Sequence, residues 1–315
     1  MFSGRPHRVS HPSHPSNKRI FMASIHWINE RILRSHWNQA VLDLVQHLGP
    51  QNVFVGVLES GSWDNSKGAL QELDAQLAQL NVAHSIILED TTHEDEISRV
   101  PSPGEAGWIW TPREKKELRR IPYLANLRNK VMQETFKDTD QHFDKVLWLN
   151  DVMFTTEDVV TLLSANAGEY AAACSLDFSK PPRYYDTFAL RDISGARALT
   201  QTWPYFLSHT FRHALISNKP VPIQSCWNGM VAINAEPFYA STPLRFRGIP
   251  DQLAELHLEA SECCLVHADN PLSTAKGVFL TPNARVGYDA EAYSAVNSFI
   301  SWSAPSQRIK GIWKL

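Results

Sequence analysis

An α/β domain with a mostly parallel central sheet flanked by helices is the fold this sequence predicts, on three observations. Short apolar runs alternate with stretches of helical periodicity, the pattern of parallel strands covered by crossover helices. One run, Val146 to Leu149, stops abruptly at Asn150-Asp151, and ligands in such sheets sit just beyond the carboxyl ends of strands. The 315 residues are 43% hydrophobic and 20% charged, enough to bury one large core.

Ile20 to Ile25 reads as the first strand. Apolar residues at Ile32, Leu33, Trp37, Val41, Leu44, Val45 and Leu48 then keep a helical period until Gly49-Pro50 stops it. Val53 to Leu58 is the second strand, Leu70 to Leu80 a helix, and Ala83 to Leu88 the third strand. Residues 90–112, with three prolines and two glycines, read as a long loop. Arg113 to Thr135 returns to helix, disturbed at Pro122. After the strand 146–149, Glu157 to Ser164 reads as helix and Tyr170 to Cys174 as strand. Pro181 to Asp192 is loop-like, the segment Ile223 to Ile233 follows with Gly229 at its centre, and Cys263 to Val266 is a late strand leading into His267. No internal repeat or linker interrupts this, so residues 20–315 are expected to form one domain. Residues 1–19 are a basic Ser/Pro/His tail without hydrophobic periodicity, expected to be disordered.

The net charge of −3 argues against a dedicated nucleic-acid binder. No apolar core follows the basic start as a signal peptide requires, and no run approaches the ~20 residues that span a bilayer. The four cysteines, Cys174, Cys226, Cys263 and Cys264, permit one disulfide without demanding it, and adjacent Cys263 and Cys264 look like core residues. Walker-type, Gly-x-Gly-x-x-Gly, Gly-x-Ser-x-Gly and His-Glu-x-x-His motifs are missing, which weakens kinase, dehydrogenase, serine hydrolase and zinc-protease readings.

Five constellations carry chemistry. Asp151, with Asn150 beside it, is placed to hold Mg²⁺ or Mn²⁺ against a phosphate; alternatively it caps the helix that begins at Thr155 or Thr156. Glu59 to Asp64, ending the second strand, has small residues that admit a ligand and Trp63 to stack on a base or sugar; otherwise it is an ordinary turn. Arg128, on a helix, can clamp a diphosphate or simply face water. Asp186, Arg191 and Asp192, with Asp177 upstream, suit sugar-hydroxyl binding or a structural ion pair. His267 either completes a metal site begun by Asp151 or is structural.

In order along the chain, these segments resemble a fungal family, the cryptococcal α-1,3-mannosyltransferase and capsule-associated proteins of glycosyltransferase family 69. The matching stretches are 52–64, 124–129, 146–154, 170–178, 185–192, 203–206, 226–230 and 261–264, spread from residue 20 to about 270. The resemblance implies a metal-dependent GT-A type fold and a retaining transfer of mannose from GDP-mannose to a mannose-containing glycan. It implies Mn²⁺ or Mg²⁺ held by Asp151 and His267, and a donor pocket formed by Glu59, Trp63, Arg128, Asn150 and Asp177. Asp186, Arg191 and Asp192 would orient the reacting groups. It also implies residence in the Golgi or secretory lumen, although family members carry an N-terminal membrane anchor that this sequence does not show. The sequence departs from the usual Asp-x-Asp pattern with Asn150-Asp151-Val152. The alternative is a non-catalytic polysaccharide export or capsule and cell-wall assembly factor on the same fold.

Overall fold

The structure, a computed structural model, describes residues 18–138, 142–206 and 208–298. Most of the expected tail, residues 1–17, lies outside the described residues.

Among the described residues twelve strands form: β1 (Ile20–His26), β2 (Val53–Glu59), β3 (Ala83–Leu88), β4 (Trp108–Trp110), β5 (Lys116–Leu118), β6 (Lys145–Leu149), β7 (Ala172–Lys180), β8 (Arg183–Tyr184), β9 (Arg191–Asp192), β10 (Val221–Ser225), β11 (Met230–Asn234) and β12 (Val278–Gly287). The main sheet runs β3-β2-β1-β6-β11-β7-β12-β10-β9, with β8 on β7. The first four strands are parallel, β11 enters antiparallel between β6 and β7, and β12 is again parallel to β7. The α/β expectation holds, with β8, β10 and β11 running against the majority.

Strand pleating sorts side chains into two cores. Phe21, Ala23, Val146 and Trp148 face one layer with Val131, Met132 and Phe143, while Ile20, Met22, Leu147 and Leu149 face another with Trp37, Val41 and Leu70. Helices α1 (Asn38–Leu48) and α2 (Ser66–Gln79) cover the second face, and α3 (Arg120–Asp138) packs on β1 and β2 over the first. Gly56 is required in β2 because a Cβ there would stand 2.7 Å from the Phe21 ring.

Three sequence expectations are corrected. Residues 90–112 contain a helix, His93–Ser98, with a Thr92–Asp95 capping box, and the β4–β5 hairpin follows. Helix α3 begins at Arg120 rather than 113, which places Pro122 in its first turn, where a missing N–H costs no hydrogen bond. The run 223–233 falls in two strands, β10 and β11. Asn228 (φ 56°) and Gly229 (φ 80°) are both left-handed and reverse the chain, so β10 pairs with β12 while β11 joins β6 and β7. Cys263 to Val266 lies within helix α5 (Glu262–Asp269), after α4 (Thr156–Leu163). Ser261 caps it by accepting from the Cys263 N–H at 3.1 Å, and burial at 262, 263, 266 and 267 follows a helical period. Cys174 and Cys226 form a disulfide that ties β7 to the segment before β11.

Candidate active site

Because β1, β2 and β6 run parallel, their carboxyl ends share one edge of the sheet. A cavity of about 840 Å³ opens there, bounded by the segment after β6, the start of α3, the 185–188 loop and the start of α5.

Asp151 lines this cleft. It does not cap α4: Thr155 does, accepting from the Asp158 N–H while the Asp158 carboxylate accepts from the Thr155 N–H at 2.9 Å. The Asp151 Oδ2 accepts from Asn29 Nδ2 at 3.1 Å, and among the described residues the carboxylate makes no ion pair. Asn29 is itself held by His26, whose Nδ1 lies 3.1 Å from Asn29 Oδ1 and whose Nε2 lies 2.9 Å from Ser24 Oγ. Ser24 in turn donates to the Leu149 carbonyl at 2.6 Å. Burial pushes the Asp151 carboxyl above its usual range and pulls His26 down to about 4. Asn150 is held from both sides: Trp227 Nε1 donates to its side-chain oxygen at 3.0 Å, and Trp37 Nε1 donates to its carbonyl at 3.0 Å.

Arg128 is buried rather than on a solvated helix face. Its Nε donates to Glu262 Oε1 at 3.2 Å, and its guanidinium carbon lies 4.2 Å from the Trp227 ring centroid and 5.1 Å from that of Trp148. Among the described residues its NH1 has no hydrogen-bond partner. Both Arg128 and Glu262 line the cleft, as does exposed Arg120, which makes no ion pair among the described residues. Nearby Arg119 is committed: it pairs with Asp251 at 2.7 Å and Glu259 at 2.9 Å, pinning the segment that leads into α5.

The third wall carries two carboxyls. Asp186 lines the cleft, and its Oδ1 accepts from the Phe188 and Ala189 N–H groups at 3.1 and 3.2 Å. Asp177 is fully buried behind it, accepting from the Asp186 N–H at 3.1 Å and from the Tyr288 hydroxyl at 3.0 Å. Tyr288 lines the cleft too. Burial raises both carboxyls, Asp177 to about 8.

The structure therefore brings Asp151, Asn150, Arg128 and Asp186 together, with Asp177 just behind. It does not bring in the rest. Glu59 is fully buried and accepts from the Ser62 N–H, and Trp63 is exposed with its ring 5.3 Å from that of Trp27. Both lie at the same sheet edge, beyond the cleft lining. Arg191 donates to the carbonyls of Phe188 and Leu190 at 2.9 and 2.7 Å and lines a second cavity. The Asp192 carboxylate is consumed by a turn, accepting from the Ser194 and Ala196 N–H groups, each at 2.9 Å. His267 also borders the second cavity, and its Nε2 donates to the Cys226 carbonyl at 2.7 Å. Its place on a helix, rather than at a strand end, turns it away from Asp151. Glu262, Trp227, Tyr288 and Arg120 also line the cleft and Asn29 holds Asp151, roles that the sequence pattern does not assign them. Glu262 carried a signal, a charged residue opening an apolar run, and Trp227 lay in a matched stretch; Asn29, Arg120 and Tyr288 stand in segments with no distinguishing pattern.

A family profile described as Cryptococcal mannosyltransferase 1 matches residues 19–269. No curated protein matches the chain. Among solved structures, the mannosyltransferase PcManGT from Pyrobaculum calidifontis, in complex with GDP-Man and Mn²⁺, is similar at a TM-score of 0.49 and 8% identity, over 90% of this chain and 61% of that one. GalNAc-T7 with UDP, GalNAc and Mn²⁺ is similar at 0.47 and 12%, over 94% of this chain and 48% of that one. The chain thus spans less than two thirds of either structure.

Proposed function

This chain belongs to the cryptococcal mannosyltransferase 1 family, and on that premise we propose that it moves mannose from GDP-mannose to a hydroxyl of a mannose-containing glycan, with retention, through an α-1,3 linkage. The observation that carries the reading is Asp151: a desolvated carboxylate at the end of a parallel strand, in a large cleft, held by one neutral amide and with no countercharge. Such a group attracts a cation. Mg²⁺ and Mn²⁺ accept one or two carboxylates while substrate phosphates and water complete the shell, so a lone Asp in place of Asp-x-Asp fits a metal shared with a diphosphate. The ion would neutralise charge building on the departing nucleotide.

The protein's own groups supply the rest. Arg120, free at the cleft edge, and the unpartnered NH1 of Arg128 point to the phosphates. Trp227 fixes both Asn150 and the Arg128 guanidinium, so the metal wall and the phosphate wall keep their spacing. Asp186 and Glu262 are the cleft carboxylates placed to orient hydroxyls. Glu59 and Trp63, at the same edge, extend the donor site toward the nucleoside. The Cys174–Cys226 disulfide supports folding in an oxidising compartment such as the secretory lumen. Among the described residues, no helix is long and apolar enough to cross a membrane.

The test is a thermal-shift series of the full chain with GDP, UDP and their sugar conjugates, with and without Mn²⁺. A metal-dependent rise with GDP or GDP-mannose, lost in Asp151→Ala, is expected. A well-folded sample that responds to none of them would replace transfer with a non-catalytic role in polysaccharide assembly.

A further inference from the structure

The pair of carboxyls behind the cleft has a chemistry that a donor site alone does not need. Asp177 sits on β7 with no exposed surface, and both its oxygens are engaged: Oδ1 by the Asp186 N–H, Oδ2 by the Tyr288 hydroxyl. The titratable groups facing it are Asp186 from the loop after β8, Tyr184 from β8 and Tyr288 from the end of β12, with Asp151 beyond Tyr288. It makes no ion pair among the described residues. On the β11 side, Gly229 packs so closely that a Cβ would stand 3.1 Å from that of Asp177, leaving no room for a counter-ion.

We propose that Asp177 is a positioning residue for transfer, setting whether the Tyr288 hydroxyl donates into the cleft or back into the protein. The proposal rests on the transferase reading above. Full burial followed by repulsion from Asp186 raises Asp177 to about 8, so this carboxyl holds its proton at neutral pH. In that state the Asp177 O–H donates to the Tyr288 oxygen. The phenolic hydrogen is then free to reach an anionic oxygen of the bound donor. Once Asp177 ionises it can only accept, and the phenolic hydrogen turns back to it. No bond to the substrate forms or breaks at either residue; one proton, lost to solvent, reverses one hydrogen bond.

The sign of the linkage follows. The folded chain binds this proton more tightly than the unfolded chain, so Asp177 costs stability increasingly as pH rises from about 4 to about 8 and no further above that. Asp177→Asn is isosteric, donates to Tyr288 through its amide and cannot ionise. The experiment follows GDP release from GDP-mannose, with Mg²⁺ and methyl α-mannoside, from pH 6 to 9.5. It also follows the melting temperatures of wild type and Asp177→Asn from pH 4 to 9.5. Wild-type release is expected to fall about tenfold per pH unit above pH 8. Asp177→Asn, normalised to its own rate at pH 7, should stay flat, and Tyr288→Phe should be slow and flat. The melting gap between Asp177→Asn and wild type should widen up to about pH 8. An unchanged alkaline limb in Asp177→Asn, or a gap that does not widen, overturns the proposal. No GDP release from wild type at any pH overturns the transferase reading and the positioning role with it, whereas release with an unshifted limb overturns only the latter.

Discussion

The two long walls of the cleft treat charge in opposite ways. On the β6 wall, Asp151 is held by the neutral amide of Asn29 and left without a countercharge. On the α5 wall, Arg128 and Glu262 neutralise each other, with Trp148, Trp227 and Phe246 around the guanidinium. An open charge is poised for a ligand and costs stability while it waits. A closed pair defines the shape of the wall and contributes little net stability, because desolvation offsets much of its attraction. Mutations on the two walls should therefore separate function from folding.

The largest separation is expected at Asp151→Ala. Transfer should fall by about 1,000-fold or more, since a metal site worth several kcal/mol of transition-state stabilisation loses its protein ligand. The melting temperature should stay level or rise, because burial already disfavours the ionised carboxyl. A variant that melts lower and turns over normally would reverse the contrast between the walls.

Glu262→Ala should instead show its largest effect on folding stability. It leaves the Arg128 guanidinium buried and uncompensated, at a cost of about 3–5 kcal/mol, measured by denaturant unfolding. Replacing both partners, Arg128→Met with Glu262→Met, should recover most of that stability while leaving the phosphate wall without its guanidinium. If the double variant is no more stable than Glu262→Ala, the pair does not act as a closed unit. Between these extremes lies Asn29→Ala, which removes the only side chain that hydrogen-bonds to Asp151 among the described residues. Partners of metal ligands typically matter by about 10–100-fold in metal affinity, so titration of Mn²⁺ against donor turnover should show a loss in that range with little change in folding.

The same contrast explains what the sequence made legible. The β6 wall is built by strand–helix units whose apolar periods are local, so β1, β2, β3 and β6 and the Asn150-Asp151 terminus could be read from pattern alone. The α5 wall and its surroundings depend on contacts distant in sequence. Arg128 meets Glu262 across 134 residues, and Tyr288 meets Asp177 across 111. No local period encodes such meetings. The reading of 263–266 as strand failed because four apolar residues fit either period, and the Ser261 cap decided for helix. The chain reversal between β10 and β11 has a cue in Asn228-Gly229, a pair that favours left-handed backbone. Arg191, Asp192 and His267 stand outside the cleft lining for one reason: proximity in sequence to other polar groups says nothing about which side of a helix or turn a side chain takes.

The smallest stability effect is expected past the cleft, at Trp63, where the proposed donor site would continue. Its ring is 63% exposed and touches Trp27 edge-on, so Trp63→Ala should change folding stability by only about 0.5 kcal/mol. A large aromatic surface left open at this sheet edge is suited to stacking on the base of the proposed donor, worth about 1–3 kcal/mol in comparable base–aromatic contacts. The KM for GDP-mannose should accordingly rise about 5- to 100-fold while kcat changes little, since stacking on the base is felt equally in the ground and transition states. An unchanged KM would confine the donor site to the charged walls and make Trp63 part of a different surface. A fall in kcat at constant KM would instead carry the open, ligand-facing character of the β6 wall out to β2.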